Sequence, residues 1–133
     1  MRPQRRSEHV PEEFVQRRQH VRVVRARPVT IRRGGERTAI STYSIDLSGL
    51  GILLAGPDAL TLGEQVSFRL SLSDSEPPIV GEATVVRLDP RGYRAIRLEA
   101  LAQVEQRRLV RFVFDCQRED RRRQLEQEGR DVR

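Results

Sequence analysis

Short runs of apolar residues at a period of two constrain this chain more than any other feature. Val66, Phe68, Leu70 and Leu72 alternate with Ser67, Arg69, Ser71 and Ser73. That period puts the four apolar side chains on one face, as in a half-buried strand. Residues 21–31 show the same parity at Val21, Val23, Val29 and Ile31, with Arg25 and Arg27 on it too. Pro28 inside this run argues for an edge position or a bulge. Arg32 to Glu36 reads as a hairpin turn in which Gly34 and Gly35 supply positive φ. Thr38–Ile45 is rich in β-branched residues, Ile52–Ala55 is short and apolar, and Ile79–Leu88 and Tyr93–Leu98 complete the set. Gly56-Pro57-Asp58, residues 74–78 and Asp89–Gly92 are turn signals between them. Six short strands at this spacing predict a mainly β fold, a small antiparallel barrel. The period then changes. Leu109, Phe112, Val113 and Cys116 fall at i, i+3, i+4 and i+7, the stripe of an amphipathic helix that Val110 and Phe114 widen. Such a helix can cover an open barrel end or edge.

Size and charge bound the rest. A chain of 133 residues holds one ordinary domain. Its 37% apolar content is low, so part of it lies outside the core, and both ends are strongly charged. Residues 1–16 read as a flexible leader and residues 116–133 as a charged helical tail. Residues 1–37 hold eleven Arg against four Glu, and residues 107–133 hold nine Arg against six acids. The chain has no lysine, and on charge alone an arginine-rich soluble surface is the simplest reading. A single cysteine, Cys116, leaves no intrachain disulfide and no cysteine-based metal site. No apolar run approaches the roughly 18–20 residues that cross a bilayer, and no apolar h-region opens the chain, so the cytoplasm is the expected location. His9 and His20 are the only histidines, neither in a catalytic or metal constellation, so no enzyme, cofactor or metal is expected. Aromatic residues are 5% and none interleaves the N-terminal arginines, so nucleic acid is not the expected partner.

Two stretches carry chemistry. The first is Arg17-Arg18-Gln19-His20-Val21-Arg22. On an extended chain, Arg18 and Arg22 point to one side, where two planar guanidinium forks can take a phosphate or the O6/N7 edge of guanine. The spacing itself is cheap, since Arg33/Arg37, Arg87/Arg91, Arg107/Arg111 and Arg118/Arg122 share it. The second is Asp46-Leu47-Ser48-Gly49-Leu50-Gly51, a polar turn between apolar strands. Asp46 can accept from guanine N1–H and N2–H2, or hold an arginine. Ser48 can bond a phosphate or cap the turn. Gly51 permits positive φ or close backbone approach to a ligand. An Asx-turn in a β-connection uses the same residues.

Together these stretches resemble the PilZ domain family, whose signature is R-x-x-x-R followed by D/N-x-S-x-x-G. Arg18 and Arg22 match the first part; Asp46, Ser48 and Gly51 match the second. Gly81–Arg87 and Tyr93–Leu98 look like that family's back strands, and the resemblance spans roughly residues 17–115. It implies a six-stranded antiparallel PilZ-type barrel with a C-terminal α-helix, and a bacterial receptor for cyclic di-GMP. The extra arginine, Arg17, implies an intercalated pair of ligand molecules. The resemblance thus implies ligand-binding roles for Arg17, Arg18, Arg22, Asp46, Ser48 and Gly51. Leu50 and Ala95 depart from frequent family residues, though not at signature positions. The expected mechanism is an arginine segment reoriented by ligand, which signals to an unidentified protein partner. The alternative is a PilZ-like interaction module that no longer depends on nucleotide.

Overall fold

The first strand is broken where two arginines fall on its inward parity. The computed structural model describes residues 18–131, so the expected leader over 1–16 and Arg17 lie outside the described residues. Strand β1 (Val23–Val24) and strand β2 (Pro28–Arg33) follow one edge of β3 (Ile40–Leu47), with Val23 opposite Leu47 and Pro28 opposite Tyr43. Between them, two backbone bonds continue the pairing, Arg25 N to Ile45 O at 3.1 Å and Ser44 N to Arg27 O at 3.0 Å, and Ser44 adds its side chain. Its buried hydroxyl accepts from Arg27 N at 2.9 Å and donates to Arg25 O at 2.6 Å. The run read as one strand from Val21 to Ile31 is therefore two. Arg25 and Arg27 cannot enter the core, and Pro28 starts the second piece where a missing N–H does least harm.

The ring then closes. β3 pairs with β4 (Gly51–Leu54), β4 with β7 (Arg94–Glu99) and β7 with β6 (Ile79–Leu88). β6 pairs with β5 (Gln65–Leu70), and β5 returns to β2. All these pairings are antiparallel. Six strands make a closed barrel, as the spacing predicts, and β1 adds a short spur. Closure removes the free edges of the sheet. Inside lie Ile31, Leu47, Ile52, Leu54, Leu70, Ile79 and Ile96, all fully buried, at about 1.5–3 kcal/mol of transfer free energy each.

Helix α1 (Gln103–Asp131) packs against β1 and β6. Leu109, Val113 and Cys116 enter the core, which is the apolar stripe seen in the sequence. Burial pushes the Cys116 thiol up. Arg25 clamps the next turn of the helix. Its guanidinium donates to Glu119 at 3.1 Å, to Asp120 at 2.9 Å and to Cys116 O at 3.4 Å. At a 1.5 Å rise per residue the 29-residue helix is about 44 Å long, and residues 117–130 are exposed.

Candidate functional site

The β3–β4 corner is shorter than the sequence suggests. Asp46 and Leu47 still belong to β3, where Asp46 pairs with Val24 and Leu53, and Gly51 already opens β4. A bulge between Ser44 and Asp46 on β3 sets the register here. The turn proper is Ser48-Gly49-Leu50. Ser48 is 2% exposed, and its hydroxyl accepts from Leu50 N and Gly51 N, each at 3.1 Å. Ser48 N donates to Gly51 O at 2.9 Å. The Ser48 hydroxyl thus caps the turn.

Gly51 does not have the positive φ offered for it, which occurs at Gly35, Gly63 and Gly92. A Cβ at Gly51 would stand 2.7 Å from Ile96 O, so glycine is needed there for close approach to β7. Gly49 is equally confined. A Cβ there would lie 2.8 Å from Val110 Cγ2 and 3.2 Å from Gln19 Cα. Gly49 N donates to Gln19 O at 3.0 Å, and Gln106 Nε2 of α1 donates to Gly49 O. One residue, through its N–H and its C=O, thus ties the arginine segment, the corner and the helix together. Sequence reasoning missed Gln19, Gly49 and Gln106; the only signal was a second glycine in the corner with no role assigned.

The arginine segment is not extended throughout. Residues 18–20 are helical and Val21 N donates to Arg18 O at 3.4 Å. The extended-chain premise therefore fails, and Arg18 and Arg22 face different ways. Arg22 Nη1 donates to Asp46 Oδ1 at 2.8 Å, with the Arg22 side chain 58% exposed. Among the described residues, Asp46 Oδ2 has no hydrogen-bond partner. Arg22 and His20 line a cavity of about 240 Å3 together with Ser48, Gly51, Arg87 and Arg97. Arg18 instead lies over the Phe114 ring, 5.1 Å from its centroid, and lines a groove of about 610 Å3 against α1.

Carboxylates hold Arg87 and Arg97. Arg97 donates to Glu99 at 2.9 Å, and with Thr84 it holds that carboxyl below its usual range. Arg91 takes Asp89 with two guanidinium bonds, at 2.9 and 2.7 Å, and Arg87 stands 3.6 Å from the same carboxylate. The Arg91 bonds hold the Asp89 carboxyl far below the ordinary value. Arg22, Arg87 and Arg97 are all more than half exposed. An incoming phosphate can therefore reach each without burying an unpaired charge first. Among the described residues no cluster of three or more His, Cys, Asp or Glu could hold a metal ion, and no helix is long and apolar enough to cross a membrane.

The model of the PilZ domain family matches residues 16–115. The chain belongs to the PilZ domain family. No curated protein sequence matches it. Among solved structures, this PilZ domain is similar to the inhibitor of motility MotI/DgrA of Bacillus subtilis, with TM-score 0.61 and 28% identity, over 88% of this chain and 56% of that one. The PilZ domain of YcgR from Escherichia coli, solved with c-di-GMP, gives TM-score 0.57 at 17% identity, over 77% of this chain and 92% of that one. Whole YcgR in complex with c-di-GMP gives TM-score 0.61 at 18% identity, over 84% of this chain and 49% of that one. The chain thus spans only about half the length of two of these proteins. The PilZ barrel and helix they share account for the site's frame: a β3–β4 corner, an arginine segment laid over it, and a helix behind.

Proposed function

We propose that this PilZ domain is a non-enzymatic receptor for cyclic di-GMP, in the cytoplasm, that signals to a protein partner. One observation carries it: among the described residues, Arg22 meets Asp46 through one bond beside an open cavity, with a guanidinium edge and a carboxylate oxygen turned to no other partner. A guanine N1–H and N2–H2 would bond the carboxylate, and a phosphate would take the guanidinium fork. The E. coli YcgR structures with c-di-GMP support the choice of ligand. Arg17 and Arg18 would bring further positive charge to the ligand, singly or as an intercalated pair. Ser48 and Gly51 line the same cavity and would meet the ligand there as well as shape the corner.

Binding would draw the arginine segment toward the phosphates. Its movement would pass through Gln19 O, Gly49 and Gln106 to α1. The exposed end of α1 would then present a changed surface. The likeness to an inhibitor of motility supports a partner that drives motility. Calorimetry tests the reading. Folded wild-type chain should release or absorb heat with cyclic di-GMP at tens of micromolar. Arg22→Ala should lose charge-assisted bonds worth about 1.5–3 kcal/mol each, roughly ten- to 150-fold in Kd. Folded wild-type protein that gives no heat would sink the proposal.

The long exposed run of α1 favours a second reading, a nucleotide-independent interaction module. In that case partner binding would be unchanged by cyclic di-GMP and by Asp46→Ala.

A further inference from the structure

The outer face of helix α1 carries arginines that no acid answers. Arg107, Arg111, Phe114, Arg118, Arg121 and Leu125 follow one another at steps of four or three residues in strict alternation. At those steps one helix presents a continuous seam to a second helix. The seam points away from the barrel, because Leu109, Val113 and Cys116 take the opposite side of α1 into the core. Two hollows of about 610 and 470 Å3 lie along it, and both are lined by Asp115 and Arg118. At a rise of 1.5 Å per residue, residues 107–125 span about 27 Å.

Charge sorts the possible occupants. Among the described residues the ion pairs of α1 involve Arg25, Arg108, Arg118 and Arg123, and none involves Arg107, Arg111 or Arg121. Like charges one turn apart repel, as Arg107 and Arg111 do, so the bare helix carries a cost that acids across the seam would relieve. A second copy of the chain would set arginine against arginine in either orientation. A nucleic-acid backbone would meet Asp115 in both hollows and Glu119 in one of them, and both would repel it. Leu125, 60% exposed, and Phe114 interrupt the cations and call for apolar side chains opposite them. An acidic amphipathic helix satisfies every position.

We infer that this seam docks an amphipathic helix of a protein partner, with acidic side chains opposite Arg107, Arg111, Arg118 and Arg121 and apolar ones opposite Phe114 and Leu125. The seam itself needs no nucleotide. Its control rests on the receptor reading above. The Arg18 guanidinium lies over the Phe114 ring, 5.1 Å from its centroid. A ligand that draws the arginine segment toward its phosphates would uncover that ring. Cyclic di-GMP would then tighten the docking.

Fluorescence anisotropy on the full chain tests this with a labelled designed helix of about three heptads, with Glu at four seam positions and Leu at two. A permuted peptide of the same composition, its Glu scattered around the helix, controls for charge alone. Arg111→Glu/Arg121→Glu reverses the seam, and Arg123→Glu/Arg130→Glu makes the same charge change off it. Circular dichroism checks folding in each. Wild type and the off-seam variant should bind the seam peptide at least about tenfold tighter than the permuted one. The seam variant should lose that preference and take instead a peptide with Lys at the four positions. Saturating cyclic di-GMP should tighten the wild-type complex several-fold and leave that of Phe114→Ala unchanged. Equal binding of the two peptides, or equal losses in both double variants, would overturn the seam. So would tighter binding of single-stranded DNA or of phosphatidylglycerol vesicles that the seam variant abolishes. A chain that binds the nucleotide yet holds the peptide equally with and without it would overturn the uncovering of Phe114. A chain that binds no cyclic di-GMP would remove the receptor reading, while the two peptides would still decide the seam.

Discussion

At the scale of single residues, the corner depends on two glycines with little room around them. A Cβ at Gly51 would press on Ile96 O, a backbone atom that moves only with β7. Gly51→Ala should cost about 1–3 kcal/mol, the range for overpacking a filled site, read as a lower denaturation midpoint with unchanged m-value. Gly49→Ala meets a side chain at Val110 and backbone at Gln19. It should destabilise less and act mainly on the arginine segment, weakening cyclic di-GMP binding several-fold in the same titration. Chemistry at this scale was partly legible. Arg22 and Asp46 were picked by their match to the PilZ signature, and they meet at 2.8 Å. The direction of Arg18 was not legible, because nothing in Arg-Gln-His announces the helical turn that rotates it toward Phe114. Ser48 and Gly51 were found by the same pattern. Their fit to the turn and to β7 depends on neighbours distant in sequence, which no local pattern reports.

At the scale of elements, helix α1 is held in two ways. Leu109 and Val113 bury its first turns, and Arg25 ties the turn after them through Glu119 and Asp120. The two acids are nearly half exposed, so the clamp contributes about 1 kcal/mol or less. Arg25→Ala should therefore speed hydrogen exchange at amides beyond Cys116 while leaving those of Leu109 and Val113 protected. Equal acceleration along the whole helix would contradict this division. The helix was visible as a 3.6-residue stripe because its apolar face is contiguous in sequence. No apolar stripe marks its continuation through the charged tail. The split of the first strand was signalled by Pro28, but the part played by Ser44 required the fold.

At the scale of the molecule, arginine–carboxylate pairs set the response to acid. Glu64, Asp89, Glu99 and Asp120 are each held below their usual range, chiefly by Arg33, Arg91, Arg97 and Arg25 respectively. The folded chain thus takes up these protons later than the unfolded chain. The stabilisation is complete above the unfolded values of about 3.9–4.3 and drains away as the pH falls below them. The thermal midpoint should be flat near neutrality and drop below about pH 4, and Asp89→Asn should make that drop shallower.

The barrel was legible as a whole because period-two runs and turn residues are local signals. How its loops converge was not, and there the central claim lies: the arginine segment and the β3–β4 corner form one nucleotide-binding face. Amide chemical shifts followed during a cyclic di-GMP titration test it most directly. The largest changes are expected at residues 18–22 and 46–51, with smaller ones along α1 near Gln106. Shifts confined to the opposite face of the barrel, or none at saturating ligand, would contradict it.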